Sequence, residues 1–334
     1  MASGSTDESI RLYDMRTHRE IGTLLHHEGA INWLVFFNST HLFSASDDRT
    51  ICIWECGTWD CIHQLMGHKA PVTCFAVHPS GKLGLSVSLD KTLRAWNLMT
   101  GAISFTQKLG QVAQLVQWNQ TGDQYAVAFE KTIAIYEAAG GSVVFNILVD
   151  KRISCILYLQ DNVLAVGSDN PFIQLFSTEE GKCLCKLEGH SSRVKALAMA
   201  PGGLLLFSAS SDGCVKCWRL DEDWNKVTCI STVETGARLM CLTVVSPESL
   251  CSELQTEEQG ASEEQGASGE QGAPGERGHL EEQGALKRME QPQCVRIMKQ
   301  LKKKVAGSES RRLTISSLKK LRKRRRKLAK PSEG

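Results

Sequence analysis

The chain lacks any apolar run of about 18 residues, the length a bilayer-spanning helix needs, so no transmembrane helix and no membrane partner are expected from its 334 residues. It also has no N-terminal apolar stretch that reads as a secretory leader. No glycine-rich phosphate loop precedes a helical pattern and no nucleophile elbow is present, so neither phosphate cradle nor serine hydrolase is signalled. Cys214-Val-Lys-Cys217 has no second cysteine pair at zinc-ligand spacing. On a strand, residues three apart face opposite sides, so this pair is not expected to share a metal. Neither metal nor cofactor is expected. Cysteine itself is not scarce: the thirteen are scattered singly along apolar segments. Without a leader they read as reduced, small core residues of a cytosolic or nuclear protein.

Net charge is also missing, but only on average. The total of +2 hides three regions. Residues 287–334 carry eighteen Lys and Arg against Glu290, Glu309 and Glu333, a net of +15. Residues 246–286 carry ten Glu against Arg277, a net of −9, which leaves −4 for the first 245. Blocks of like charge this dense cannot pack into a core and read as interaction segments.

What is present is a repeat. Aromatic residues stand at Tyr13, Trp54, Trp96, Tyr136, Phe176 and Trp218, at intervals of 41, 42, 40, 40 and 42 residues. Each of the first four ends a short run such as Thr50-Ile-Cys-Ile-Trp54 or Thr92-Leu-Arg-Ala-Trp96. Period-2 alternation with β-branched residues predicts strands. About 40 residues per unit is the length of four short antiparallel strands, one propeller blade.

The repeat has finer structure. Six residues before the aromatic stands Asp7, Asp48, Asp90 or Asp212, and four before that Ser3, Ser44, Ser86 or Ser208. His27, His68 and His190 lie 27 or 28 residues before their aromatic. This pattern resembles the WD-repeat family, whose blades carry a hydrogen-bonded His–Ser–Asp–Trp tetrad. Three full sets are expected: His27, Ser44, Asp48 and Trp54; His68, Ser86, Asp90 and Trp96; His190, Ser208, Asp212 and Trp218. An indole N–H only donates and a carboxylate only accepts, so Ser and His can link them into one satisfied network. It is expected to tie the outer strand of a blade to its inner strands. A hydrolase triad uses the same residue types, but a catalytic set occurs once and this one recurs on the blade period, so the sets read as structural. Asp47 beside Asp48 is assigned to the turn.

Two units depart from the pattern. Around Tyr136 the Ser and Asp slots hold Ala126 and Glu130, and around Phe176 they hold Val166 and Asn170. These blades must rely on packed apolar strands such as Asn162-Val-Leu-Ala-Val166. The first unit begins only two residues before its Ser slot, and Arg238-Leu-Met-Cys-Leu-Thr-Val-Val245 reads as the innermost strand of a further blade. The expectation is an all-β WD40 propeller over residues 1–245, of a seven-bladed family, with incomplete first and last blades and an N-terminally shortened ring.

From Glu258 the hexapeptide Glu-Gln-Gly-Ala-Ser-Glu repeats with drift to Lys287. Its regular Gly and scant apolar content predict a disordered acidic linker over 246–286; the glycine spacing of six, not three, excludes collagen. The basic tail, 287–334, is expected to be disordered too. Its runs are Lys302, Lys303 and Lys304, then Lys319, Lys320, Arg322, Lys323, Arg324, Arg325, Arg326 and Lys327. They read as a nuclear or nucleolar targeting signal, compatible with non-specific contact to rRNA phosphates; a solvated arm is the plain alternative. The tail holds no Phe, Trp or Tyr, so base stacking is not offered.

Several segments carry a closer resemblance: Ile51-Cys-Ile-Trp54, His78-Pro-Ser-Gly-Lys82, Asp90-Lys-Thr-Leu-Arg94 with Trp96-Asn-Leu98, Lys151-Arg-Ile-Ser154 and Gly236-Ala-Arg-Leu239. They resemble the p21-activated-kinase-interacting protein 1 family over about residues 3–245. That resemblance implies a non-enzymatic nucleolar scaffold whose partners are pre-ribosomal proteins in large-subunit assembly. It also implies binding to the regulatory region of p21-activated kinase and restraint of its activation. The short N-terminal end and the Glu-Gln-Gly-Ala repeat depart from the family pattern and point to a shortened or duplicated copy with little retained activity as a third reading.

Overall fold

The computed structural model describes residues 1–221, 224 and 227–245. The linker (246–286) and the basic tail (287–334), with every lysine and arginine assigned there to targeting or RNA contact, lie outside the described residues. The described part is built of six antiparallel meanders, with strand order following chain order in each. Sheet 1 has three strands, Ala2–Gly4, Ser9–Asp14 and Arg19–Leu25. Sheet 2 runs Ile31–Phe37, His41–Ser46, Ile51–Glu55 and Cys61–Leu65. Sheet 3 runs Val72–Val77, Leu83–Ser88, Thr92–Asn97 and Ala102–Lys108. Sheet 4 comprises Leu115–Trp118, Gln124–Ala128, Thr132–Glu137 and Val143–Leu148. Sheet 5 comprises Ile153–Gln160, Val163–Ser168, Phe172–Ser177 and Cys183–Glu188, and sheet 6 Val194–Met199, Leu205–Ser210, Cys214–Arg219 and Thr228–Glu234.

The sheets pack face to face as blades. The innermost strand of each of sheets 2 to 5 lies against that of the next, and Ala2–Gly4 lies against Ile31–Phe37. No comparable packing joins sheet 6 to sheet 1 among the described residues. Sandwiching buries the second and third strands on both faces, so His41–Ser46 and Ile51–Glu55 bury nearly every residue despite their alternating sequence. Outer strands cover nothing on one side and stay exposed, as in Arg19–Leu25. The repeating aromatic of one blade packs on the blade before it: Trp96 joins Phe43, Ala45, Ile51 and Ile53 of sheet 2, and Trp54 joins Ile10 of sheet 1. Burying an aromatic of this size is worth ~2–3 kcal/mol, which is why the aromatic spacing is the strongest mark in the sequence.

One expected strand is absent. Arg238–Val245 takes no strand and pairs with no sheet among the described residues. Leu239 and Leu242 instead lie on Ala196, Ala209 and Val215, on the face of sheet 6 that a following blade's aromatic would cover. Alternation gives such a segment an apolar face, but a strand also needs a neighbour's backbone to bond. The cysteine expectation is also only partly met. No disulfide joins any of the eleven described cysteines, but Cys52, Cys74 and Cys217 are buried while Cys183, Cys229 and Cys241 are exposed.

Candidate functional site

The three expected tetrads are assembled. In sheet 2, Trp54 Nε1–H donates to Ser44 Oγ at 2.8 Å. Ser44 Oγ lies 2.8 Å from His27 Nε2, and His27 Nδ1 lies 2.6 Å from Asp48 Oδ2. Trp96, Ser86, His68 and Asp90 repeat the chain at 2.8, 2.7 and 2.9 Å. Trp218, Ser208, His190 and Asp212 repeat it at 2.8, 2.8 and 3.1 Å. One proton arrangement satisfies each set: indole to hydroxyl, hydroxyl to Nε2, and Nδ1–H to carboxylate.

The sets tie different elements from those expected. The outer strand of the same blade takes no part. Each His sits in the segment after the previous blade's outer strand, the Ser on the second strand, the Asp in the following turn and the Trp on the third strand. His27 follows Arg19–Leu25 of sheet 1 and bonds into sheet 2. The tetrad is therefore a staple between successive blades. The backbone reinforces it: the N–H groups of Glu28, Lys69 and Ser191 donate to the same three carboxylates at 3.1, 2.9 and 3.0 Å. The residue after each Asp bends left-handed, with φ of 75° at Arg49, 63° at Lys91 and 82° at Gly213, and this turns the chain into the third strand.

These carboxylates stay ionised. Burial of Asp90 works against its charge, yet hydrogen bonds from Thr92, the Lys69 N–H and His68 outweigh it and hold the acid at about 2. Asp212 is likewise held at about 2 against burial, by the N–H groups of Cys214 and Ser191 and by His190. Asp48 is lowered further, with His27 and Thr50 overcoming burial. Burial pushes His68 and His190 down from the ordinary imidazole range, with Asp90 and Asp212 acting in opposition.

Ser–His–Asp in hydrogen-bonded order is also the geometry of a hydrolase triad. Here Ser44, Ser86 and Ser208 are 0% exposed and each Oγ already accepts an indole N–H. No carbonyl carbon can approach them, so these sets hold the fold.

In sheet 1, Ser3 Oγ lies 3.5 Å from the Tyr13 hydroxyl, and Asp7 turns to Ser9. Sheet 4 replaces the tetrad with an aromatic ladder. Tyr125 stacks on Tyr136 with centroids 5.1 Å apart, Trp118 packs on Tyr125 at 5.2 Å and His78 on Trp118 at 4.8 Å. Sheet 5 packs Tyr158, Leu164, Val166 and Phe176, and leaves Tyr158 Oη, Asn170 Nδ2, Gln174 Oε1 and Thr178 Oγ1 buried without a hydrogen bond among the described residues.

Sequence reasoning missed a second serine. Ser46, Ser88 and Ser210 donate to Gly29 O, Ala70 O and Ser192 O at 2.9, 2.9 and 3.1 Å, and each accepts the N–H of the tetrad Asp. The signal was there: each stands two residues after a tetrad Ser. It also missed a soft ligand set. His26, Cys52 and Cys61 bring one nitrogen and two sulfurs within 4.8 Å of one another. Burial raises both thiols, so a metal there would have to displace both protons. Cys214 is half-buried and Cys217 buried. Asp47, assigned to the turn, accepts from Asn32 Nδ2 at 2.7 Å.

Six meandering blades, with staples at the entries to sheets 2, 3 and 6, define a WD-repeat β-propeller. The WD domain, G-beta repeat model matches residues 18–55, 59–97 and 181–219, the three spans that hold full tetrads, each starting before or within an outer strand. Among similar proteins, the p21-activated protein kinase-interacting protein 1-like of Danio rerio is 41% identical over 74% of this chain and 68% of its own. The p21-activated protein kinase-interacting protein 1 of Homo sapiens is 36% identical over 73% of this chain and 63% of its own. Shk1 kinase-binding protein 15 of Schizosaccharomyces pombe is 28% identical, covering 78% and 75%. The chain belongs to the p21-activated protein kinase-interacting protein 1 family.

Proposed function

We propose that the chain is a non-enzymatic scaffold acting in assembly of the large ribosomal subunit in the nucleolus, with pre-ribosomal proteins as partners of its propeller. The observation that carries the scaffold reading is the family match over 74% of the chain, joined to tetrads whose reactive groups are all committed to holding blades. The end of the outer strand also suits protein contact in three blades. Large apolar side chains stand exposed at Leu25 (77%) and Leu148 (78%), the last residues of their strands, and at Met66 (67%), one residue past its own. The eighteen basic residues of 287–334 support nucleolar targeting and salt-sensitive rRNA contact. The frame is read as that of a seven-bladed family, of which the described residues supply six sheets.

A second reading is a kinase-binding inhibitor that occupies the regulatory region of p21-activated kinase and competes with an activating GTPase. Two relatives named for interacting with p21-activated kinase and one named for binding the Shk1 kinase favour it. Affinity purification from nuclei, with and without residues 287–334, separates the two. Recovery of large-subunit precursors that is lost with the tail is expected for the first. Recovery of kinase alone, unaffected by the deletion, overturns it in favour of the second.

A further inference from the structure

Five blades place one side chain each at the same repeat position: Asn32, Thr73, Gln114, Ser154 and Lys195, at intervals of 41, 41, 40 and 41 residues. All five line one open depression of about 320 Å³, where the starts of the inner strands converge. The first two are committed to joining blades. Asn32 Nδ2 donates to Val72 O at 2.9 Å, and Thr73 Oγ1 to Ala113 O at 3.2 Å. Gln114 and Ser154 make no side-chain hydrogen bond, and Lys195 no ion pair, among the described residues.

The charge of the depression is one-sided. Arg152, Arg193 and Lys195 line it against the lone carboxylate of Asp169. Arg193 Nη1 reaches that carboxylate only at 3.8 Å, and its Nε donates to Ser211 Oγ at 3.3 Å. Arg152 has no ion pair among the described residues. Burial and then the guanidiniums of Arg193, Arg238 and Arg152 press the Lys195 ammonium below the ordinary lysine range, with Asp169 opposing them. Like charges are thus gathered beside free hydrogen-bonding groups with too little negative charge to neutralise them.

We propose that this depression binds a phosphoryl group, with Lys195, Arg152 and Arg193 as counter-charge and Gln114 and Ser154 as hydrogen-bond partners. Planar guanidiniums match phosphate oxygens with paired N–H groups, and the two cations in excess of Asp169 match a dianion. The depression is open and wider than one phosphate, so the group arrives on something larger: a phosphorylated protein side chain or a small polyphosphate. Neither the ribosomal nor the kinase reading is needed for this.

The test is amine acylation of the full chain, read residue by residue by peptide mass spectrometry, which keeps the basic tail out of the signal. The probes are tripolyphosphate, a phosphoserine peptide and its unphosphorylated twin. A phosphate-bearing probe is expected to slow acylation of Lys195 by about fivefold or more and to leave Lys182 unchanged. Arg152→Gln, at an exposed position, and Arg193→Gln are each expected to remove most of that protection. Stronger protection by the phosphopeptide assigns a protein-borne phosphate, and stronger protection by tripolyphosphate a free one. The proposal is overturned if neither probe protects Lys195 beyond Lys182, if the unphosphorylated peptide protects equally, or if both variants keep full protection.

Discussion

His27 Nδ1 lies 2.6 Å from Asp48 Oδ2, although the imidazole belongs to the chain leaving sheet 1 and the carboxylate to a turn of sheet 2. The contact crosses between blades. Replacing His27 with alanine leaves Asp48 and Ser44 short of a partner in a site where the imidazole is 1% exposed. A loss of ~2–4 kcal/mol in urea unfolding is expected, because a buried group stripped of its partner keeps its desolvation cost. Hydrogen exchange should accelerate in Arg19–Leu25 as well as in sheet 2. Faster exchange confined to sheet 2 would contradict a staple between blades.

The indole N–H is separable from the ring. Trp96→Phe keeps most of the apolar contact with sheet 2 but removes the donor to Ser86 Oγ. A loss of ~1–2 kcal/mol is expected in the same assay. Tyr136 holds the equivalent place in sheet 4 by stacking on Tyr125, and Tyr136→Phe should change stability by less than ~0.5 kcal/mol. Equal losses for the two variants would mean that the ring alone matters.

Sheet 5 holds a polar group whose removal should help. Tyr158 Oη is buried and makes no hydrogen bond among the described residues, and burial pushes its ionisation above the ordinary tyrosine range. Tyr158→Phe is expected to be neutral or to raise stability by up to ~1 kcal/mol. A loss above that size would show a hidden partner.

Acid should weaken the staples in two stages. His68 and His190 are held below their ordinary 6.5 chiefly by burial. A depressed value means the unfolded chain takes the proton first, so their contribution is complete above 6.5 and is lost as pH falls through the folded values. Asp90 and Asp212, at about 2 against an ordinary 3.8, add a second loss that begins below 3.8 and ends as pH passes about 2. Urea midpoints measured across this range should fall in that order. A midpoint that rises on acidification from about 7 to about 5 would contradict the assignment.

The parts legible in the sequence were those where chemistry demands one residue type. Only Trp offers an indole donor and only a carboxylate closes the chain, so Ser44, Asp48 and Trp54 announce themselves by type and spacing. The staple's direction did not, because His27 counts toward Trp54 in sequence while it emerges from the preceding blade. The ring from Asn32 to Lys195 escaped notice because five different residues share one position. Arg238–Val245 carries a strand pattern, but pattern alone does not supply the backbone partner that makes a strand.

The most direct measurement is affinity purification from nuclei with the full chain, scored for large-subunit precursors. The proposed assembly scaffold predicts that precursor proteins are retained in stoichiometric amount. Recovery of kinase without precursors, or of neither, would contradict it.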